Sequence, residues 1–124
     1  MFCRIYTTGE ITDESYLTLI LSDALGIKVD DKRYLEDHDY SILITSNKEH
    51  DLIRQRVFPD GFLYFKFLIE VDFSETIDEN LVLTITNKIL KFLWARDFPA
   101  VASCKFESLL DEGGGYNSKN VPWV

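Results

Sequence analysis

An α+β fold is what this sequence predicts, with elements in the order strand, helix, strand, strand, helix, strand. Three observations carry that expectation. Two segments place apolar residues at helical spacing behind capping residues. Other segments are rich in β-branched and aromatic residues. The two kinds alternate so that β-α-β can be read twice.

The elements follow in chain order. Phe2 to Thr7 reads as a strand, broken by Gly9. Thr12 is the expected N-cap of the first helix, with Asp13 and Glu14 placed where acidic groups suit the helix dipole. Leu17, Ile20, Leu21, Ala24 and Leu25 form its apolar stripe, and Gly26 stops it. Ile27 to Asp39 reads as a polar connection. Tyr40 to Thr45 is the second strand. Ser46 to Pro59 fits a long hairpin loop, a short helical turn at Asp51 to Val57, or an extension of the strand. Pro59-Asp60-Gly61 is a turn signal. Phe62 to Phe73 is the strongest strand, with Leu63, Phe65, Phe67, Ile69, Val71 and Phe73 on its more apolar face. Thr76 and Glu79 make a capping box for the second helix. Its stripe is Leu81, Val82, Ile85, Ile89, Phe92 and Leu93, and it ends before Pro99. Ala100 to Phe106 is the last strand, followed by a Gly113-Gly114-Gly115 break.

This order is the split βαβ pattern of the ferredoxin-like sandwich: a four-stranded antiparallel sheet with both helices on one face. The first and third strands lie at its centre. Residues 1–124 then form one domain, with 107–124 as a C-terminal tail. The uncovered face should present Phe2, Arg4 and Tyr6 beside Phe62, Tyr64 and Lys66. Either it is an interaction surface, or the tail with Tyr116 and Trp123 folds back over it.

Charge narrows the partners. The 21 acidic and 13 basic side chains leave a net charge of −8, which repels phosphate backbones and anionic lipid and favours basic proteins. Nucleic acid and membranes are therefore not expected partners. No apolar run could span a bilayer, and Met1 to Glu10 has no signal-peptide core, so a cytoplasmic protein with reduced thiols is expected.

Four motifs invite chemistry. Asp60 to Phe67 resembles the octamer of RNA-recognition modules, but Asp60 stands where a basic residue should meet phosphate and Leu63 where a small one belongs. His38 lies among Glu36, Asp37 and Asp39, and His50 between Glu49 and Asp51; solvated loop histidines explain both unless the two loops meet around a metal. Cys3 and Cys104 lie on strands that neighbour each other in this fold, and two core thiols are the default reading. Gly113 to Gly115 opens no helix and reads as a flexible linker. No catalytic residue, metal site or cofactor emerges from these motifs.

Small size, acidity and aromatic richness together resemble immunity proteins of bacterial contact-dependent inhibition and related polymorphic toxin systems. The stretches Phe58-Pro59-Asp60-Gly61-Phe62 and Phe106-Glu107 with Asp111 to Tyr116 look like family signatures. The resemblance covers the whole chain in character only, so no residue role carries over. It implies an inhibitor, not an enzyme, that neutralises a cognate toxin of basic nuclease type by covering its active site or an exosite. The expected contact residues are Asp30, Asp31, Glu36, Asp37 and Asp39 for steering, with Phe62 and Tyr64 as aromatic anchors. The competing reading is a dimeric α+β small-molecule-binding or enzymatic domain with a cleft on the open sheet face.

Overall fold

The computed structural model describes residues 1–29 and 34–116. Two α-helices and an antiparallel sheet of five strands make up the fold. The elements are β1 (Phe2–Thr7), α1 (Glu14–Leu25), β2 (Tyr34–Glu36), β3 (Tyr40–Ser46), β4 (Phe67–Phe73), α2 (Glu79–Ala95) and β5 (Ala100–Ser103). The sheet order is β2-β3-β4-β1-β5. β4 and β1 pair along their length, from Phe2 opposite Asp72 to Thr7 opposite Phe67.

Parity along the strands sets the core. Ile5, Ile42, Ile44, Phe67, Ile69 and Val71 are buried on one face. Against them pack Leu17 and Leu21 of α1 and Val82, Ile85, Ile89, Leu90 and Leu93 of α2. Both helices thus lie on the same side of the sheet. Each apolar side chain withdrawn here contributes roughly 1.5–3 kcal/mol relative to exposure.

Both helices begin one or two residues away from the expected caps. The Asp13 carboxylate, not Thr12, caps α1 by accepting from the Tyr16 amide at 2.8 Å. The Asp78 carboxylate caps α2 by accepting from the Asn80 amide at 3.0 Å, in place of the Thr76–Glu79 box. In each case a carboxylate nearer the helix, by one residue in α1 and two in α2, wins because it adds a favourable charge at the positive end of the dipole. Gly26 closes α1 in the left-handed conformation as expected.

Four expectations are corrected. The connection before Tyr40 contains a strand, β2, so the sheet has five strands rather than four. Leu35 is fully buried between exposed Tyr34 and Glu36, and three alternating residues are too few to read as a strand in sequence. The segment Phe62 to Phe73 is not one strand. Asp60–Tyr64 is a 3₁₀ turn and β4 starts at Phe67. Phe65 leaves the helix-side core and packs with Tyr6 and Val101 on the opposite face. The last strand stops at Ser103, short of Phe106.

The triple glycine is the fourth correction. Residues 107–116 form a strap across the edge of β5, not a linker. On the helix side, the Asp111 amide donates to Asn87 Oδ1 at 2.9 Å and its carboxylate pairs with Lys91 at 2.8 Å. On the other side, the Tyr116 ring packs edge-on against Phe62 at 5.3 Å. Between these points Gly114 and Gly115 run against the β5 backbone. A Cβ on Gly115 would stand 2.1 Å from the Ala100 carbonyl oxygen, at φ +114.

Gly115→Ala should therefore cost at least about 3 kcal/mol, from collision added to backbone strain. Gly26→Ala, with nothing within 4 Å of the new Cβ, should cost about 1 kcal/mol from its left-handed φ alone. Urea denaturation of the two variants measures the difference. Equal costs would mean the strap does not press on β5.

Candidate functional site

The sheet face opposite the helices divides into three cross-strand rows. The row Thr45, Leu68, Tyr6 and Val101 is covered. Phe62 lies over Tyr6, rings 5.4 Å apart, and Phe65, Tyr116 and Val101 complete this second apolar cluster. Among the described residues, the rows Tyr34-Leu43-Glu70-Arg4 and Glu36-Ser41-Asp72-Phe2 carry no such cover. Phe2 and Arg4 are exposed there, as expected, with the Arg4 guanidinium 5.4 Å from the Phe2 ring centre. Tyr6 and Lys66 are not available. Tyr6 is buried under Phe62, and Lys66 turns its ammonium to the Ile11 carbonyl at 3.1 Å.

What covers the first row is a loop, residues 47–65, that leaves the end of β3 and folds back on itself. The Asn47 amide donates to the Lys66 carbonyl and so closes its neck at 2.9 Å. The Asn47 side-chain amide donates to the carbonyls of Leu63 at 2.8 Å and Phe65 at 2.7 Å. His50 Nδ1 lies 3.0 Å from the Tyr64 carbonyl, which fixes it as a donor. Asp51 accepts from the Ile53 and Arg54 amides, at 2.9 and 3.0 Å. Those two donors hold its carboxyl below the usual carboxylate range. Gln55 is buried, and Thr8 Oγ1 donates to its side-chain oxygen at 3.3 Å. Gly61 sits so close to this turn that a Cβ there would stand 2.6 Å from the Gln55 carbonyl oxygen.

Braced by these internal hydrogen bonds, the loop turns large apolar side chains outward. Ile53 is 81% exposed, and Leu52, Val57, Phe58 and Leu63 are also exposed. Arg54 and Arg56 stand among them. Arg54 pairs with Asp51 at 3.8 Å and lies 5.4 Å over the Tyr64 ring. Five exposed large apolar residues on one short, braced segment form a cluster unlike scattered surface leucines.

At the other end of the strands lies an acidic depression of about 250 Å³. It is lined by Glu36, Asp37, His38, Asp39 and Asp72, with Tyr40, Phe73 and Ser74 at its floor. The β2–β3 turn builds it: the Asp37 amide donates to the Tyr40 carbonyl at 2.9 Å, projecting His38 and Asp39 at the tip. Burial, reinforced by Asp37, pushes the Tyr40 phenol up to about 12.

The anticipated contact residues are thus distributed unevenly. Glu36, Asp37 and Asp39 come together and are joined by Asp72, which the sequence did not single out. Asp30 and Asp31, like Trp123, lie outside the described residues. Phe62 is 4% exposed and serves as an internal anchor, so it offers no surface to a partner. Tyr64 is half-buried beside Arg54. The Asp60–Tyr64 turn also removes the strand on which the octamer's aromatics would have been displayed. His38 and His50 line separate depressions, and no group of three or more His, Cys, Asp or Glu is placed to hold a metal among the described residues. The apolar group Leu52, Ile53, Val57 and Phe58 is plain in the sequence, but with hairpin loop, helical turn and strand extension all open for Ser46 to Pro59, nothing there says which side chains face outward.

The anchored strap gives a pH dependence. Burial, then Glu107 and Asp60, push the Tyr116 phenol up to about 12, above its unfolded value near 10. The neutral phenol is therefore favoured in the folded state. Its stabilising contribution is complete below pH 10 and is lost as pH rises toward 12. Tyr116→Phe keeps the ring on Phe62 and should flatten the fall in stability across that window, read from melting temperatures at stepped alkaline pH. An unchanged slope would remove Tyr116 as its source.

No family model matches this sequence, and no curated protein or solved structure matches it in either comparison.

Proposed function

We propose that this domain is a protein-binding inhibitor of the immunity-protein kind. It acts by docking on one partner protein, and it has no chemistry of its own. The observation that carries the reading is the braced loop, which holds Leu52, Ile53, Val57, Phe58 and Leu63 in solvent while internal hydrogen bonds fix its backbone. A preorganised apolar surface of this kind loses little conformational entropy on binding, and that is where affinity is gained.

The acidic end supplies the second element. Glu36, Asp37, Asp39 and Asp72 concentrate negative charge on one depression, in a chain whose net charge is already −8. Such a surface accelerates encounter with a basic protein and orients it. A toxin of the basic nuclease type fits these requirements, with its substrate groove facing the acids and an apolar pocket taking the loop. At the level of fold, we read β1, α1, β3, β4, α2 and β5 as a ferredoxin-like core to which β2 is added at one edge. The strand order supports that reading. The reading places this domain inside the cell, beside the protein it restrains.

The test is capture of the partner from the native cells, followed by binding kinetics with two variants. Ile53→Ser with Phe58→Ser should raise the dissociation rate at least about 100-fold, the scale of lost hot-spot contacts. Glu36→Lys with Asp37→Lys and Asp39→Lys should slow association about tenfold at low salt and flatten its salt dependence. A partner held equally well by both variants would overturn the reading. So would light scattering that shows a stable homodimer and no captured partner, which favours the dimeric alternative.

A further inference from the structure

The two cysteines meet, and no part of the docking surface uses them. β1 and β5 are paired antiparallel with Arg4 opposite Ser103 and Ile5 opposite Ala102. Continued one step past the end of β5, this register brings Cys3 beside Cys104. Cys3 Sγ donates to the Arg4 carbonyl at 3.8 Å, and the two thiols perturb each other's titration, with the proton favoured on Cys3. Directly opposed antiparallel residues have Cα atoms about 4.5–5.5 Å apart, inside the range a disulfide requires. Both are free thiols here.

Their surroundings differ in a way that orders their reactions. Cys3 is fully buried, whereas Cys104 is half-buried where β5 ends. A disulfide reagent arriving from solvent therefore meets Cys104 first. The interaction with Cys3 lowers the Cys104 value, opposed by burial and the nearby Glu107 carboxylate. That same interaction, with burial, raises Cys3. The thiolate thus forms on the sulfur that a reagent can reach.

We propose that Cys3 and Cys104 form a redox-modification site that accepts oxidising equivalents from a low-molecular-weight disulfide and closes reversibly into a cross-strand disulfide. In the first step Cys104 loses its proton to solvent and its thiolate attacks one sulfur of the reagent. A Cys104 mixed disulfide forms, and one small thiolate leaves. In the second step Cys3 loses its proton and attacks the Cys104 sulfur. The protein disulfide forms, and the second small thiolate leaves and is protonated. Two protein thiols are oxidised, and one small disulfide is reduced to two small thiols.

The bond would fix the Cys104 end of the strap to β1. The strap already leans on this residue, because the Cys104 amide donates to Glu107 Oε2 at 3.1 Å. Its far end, Tyr116, covers Phe62 under the docking loop. Oxidation would therefore tie down the cover of the open face from its proximal end. The inference does not depend on the identity of any partner.

The experiment treats the whole native chain with excess oxidised glutathione and follows intact mass, free thiol and melting temperature. The wild type should lose both thiols together and two hydrogens in mass. It should also melt about 5 °C higher or more and return to its starting state with dithiothreitol. Cys3→Ala should stop at a glutathione adduct on Cys104. Cys104→Ser should leave Cys3 unmodified while folded. A wild-type protein that accumulates the mixed disulfide, or that keeps both thiols after prolonged exposure, would overturn the proposal. Wild type and Cys104→Ser decide the matter even if Cys3→Ala fails to fold.

Discussion

The pairing of β4 with β1 is the constraint on which the other features depend. Six consecutive register partners, Phe2 to Thr7 against Asp72 to Phe67, fix which side chains of both strands face the helices. A slip of β1 by one residue against β4 would send Ile5 to the wet face and Arg4 into the core. Because β1 and β4 also pair outward, with β5 and β3, the same register propagates across the sheet. It brings Cys3 beside Cys104, just past the end of β5, and it aligns Leu68, Tyr6 and Val101 into the apolar row that Phe62 covers.

Covering only one sheet face with helices leaves a problem that the chain solves by halves. At the β5 end, the loop and the strap meet over Tyr6 and exclude water through Phe62, Phe65 and Tyr116. Farther along, Arg4, Glu70, Asp72 and Ser41 are polar enough to stay wet. The loop's covering role rests on local hydrogen bonds from Asn47 and His50 to the Leu63, Phe65 and Tyr64 carbonyls and from the Ile53 and Arg54 amides to Asp51. A buried loop without those partners would carry unpaired backbone groups at roughly 1–3 kcal/mol each. The same rigidity turns the outward side chains into a preformed surface. Gly61 and Gly115 are the two points where this economy tolerates no side chain, since both lie against carbonyl oxygens.

Much of the fold was legible because it obeys local periods. β1, β3 and both helices appear within a residue or two of where spacing and punctuation put them. The misreadings share one cause, which is that long-range contacts decided the outcome. Phe62 to Lys66 alternates well enough to be a strand, yet Asn47 takes the Leu63 and Phe65 carbonyls, and Gly61 locks onto Gln55. β2 owes its existence to Leu35 filling the core beside β3, a tertiary fact that three letters do not carry. The triple glycine reads as slack chain until the β5 backbone is seen beside it. Of the site, the acids at 36–39 were readable as charge density, whereas Asp72 joins them only through the β3–β4 register. Phe62 failed as a surface group for the reason that makes it useful, its burial between Tyr6 and Tyr116.

The open side of the molecule is therefore polar along the strand direction. One end carries apolar side chains with Arg54 and Arg56; the other carries Glu36, Asp37, Asp39 and Asp72. Neither end alone explains strong and selective binding. Acids in water attract many basic surfaces weakly, with the attraction screened beyond about 10 Å at ordinary salt, and exposed aliphatic groups adhere without discrimination. In the proposed role, joining them on one sheet at a fixed separation would impose a two-point requirement: a basic groove and an apolar pocket at the matching distance. The β4–β1 register keeps that distance constant.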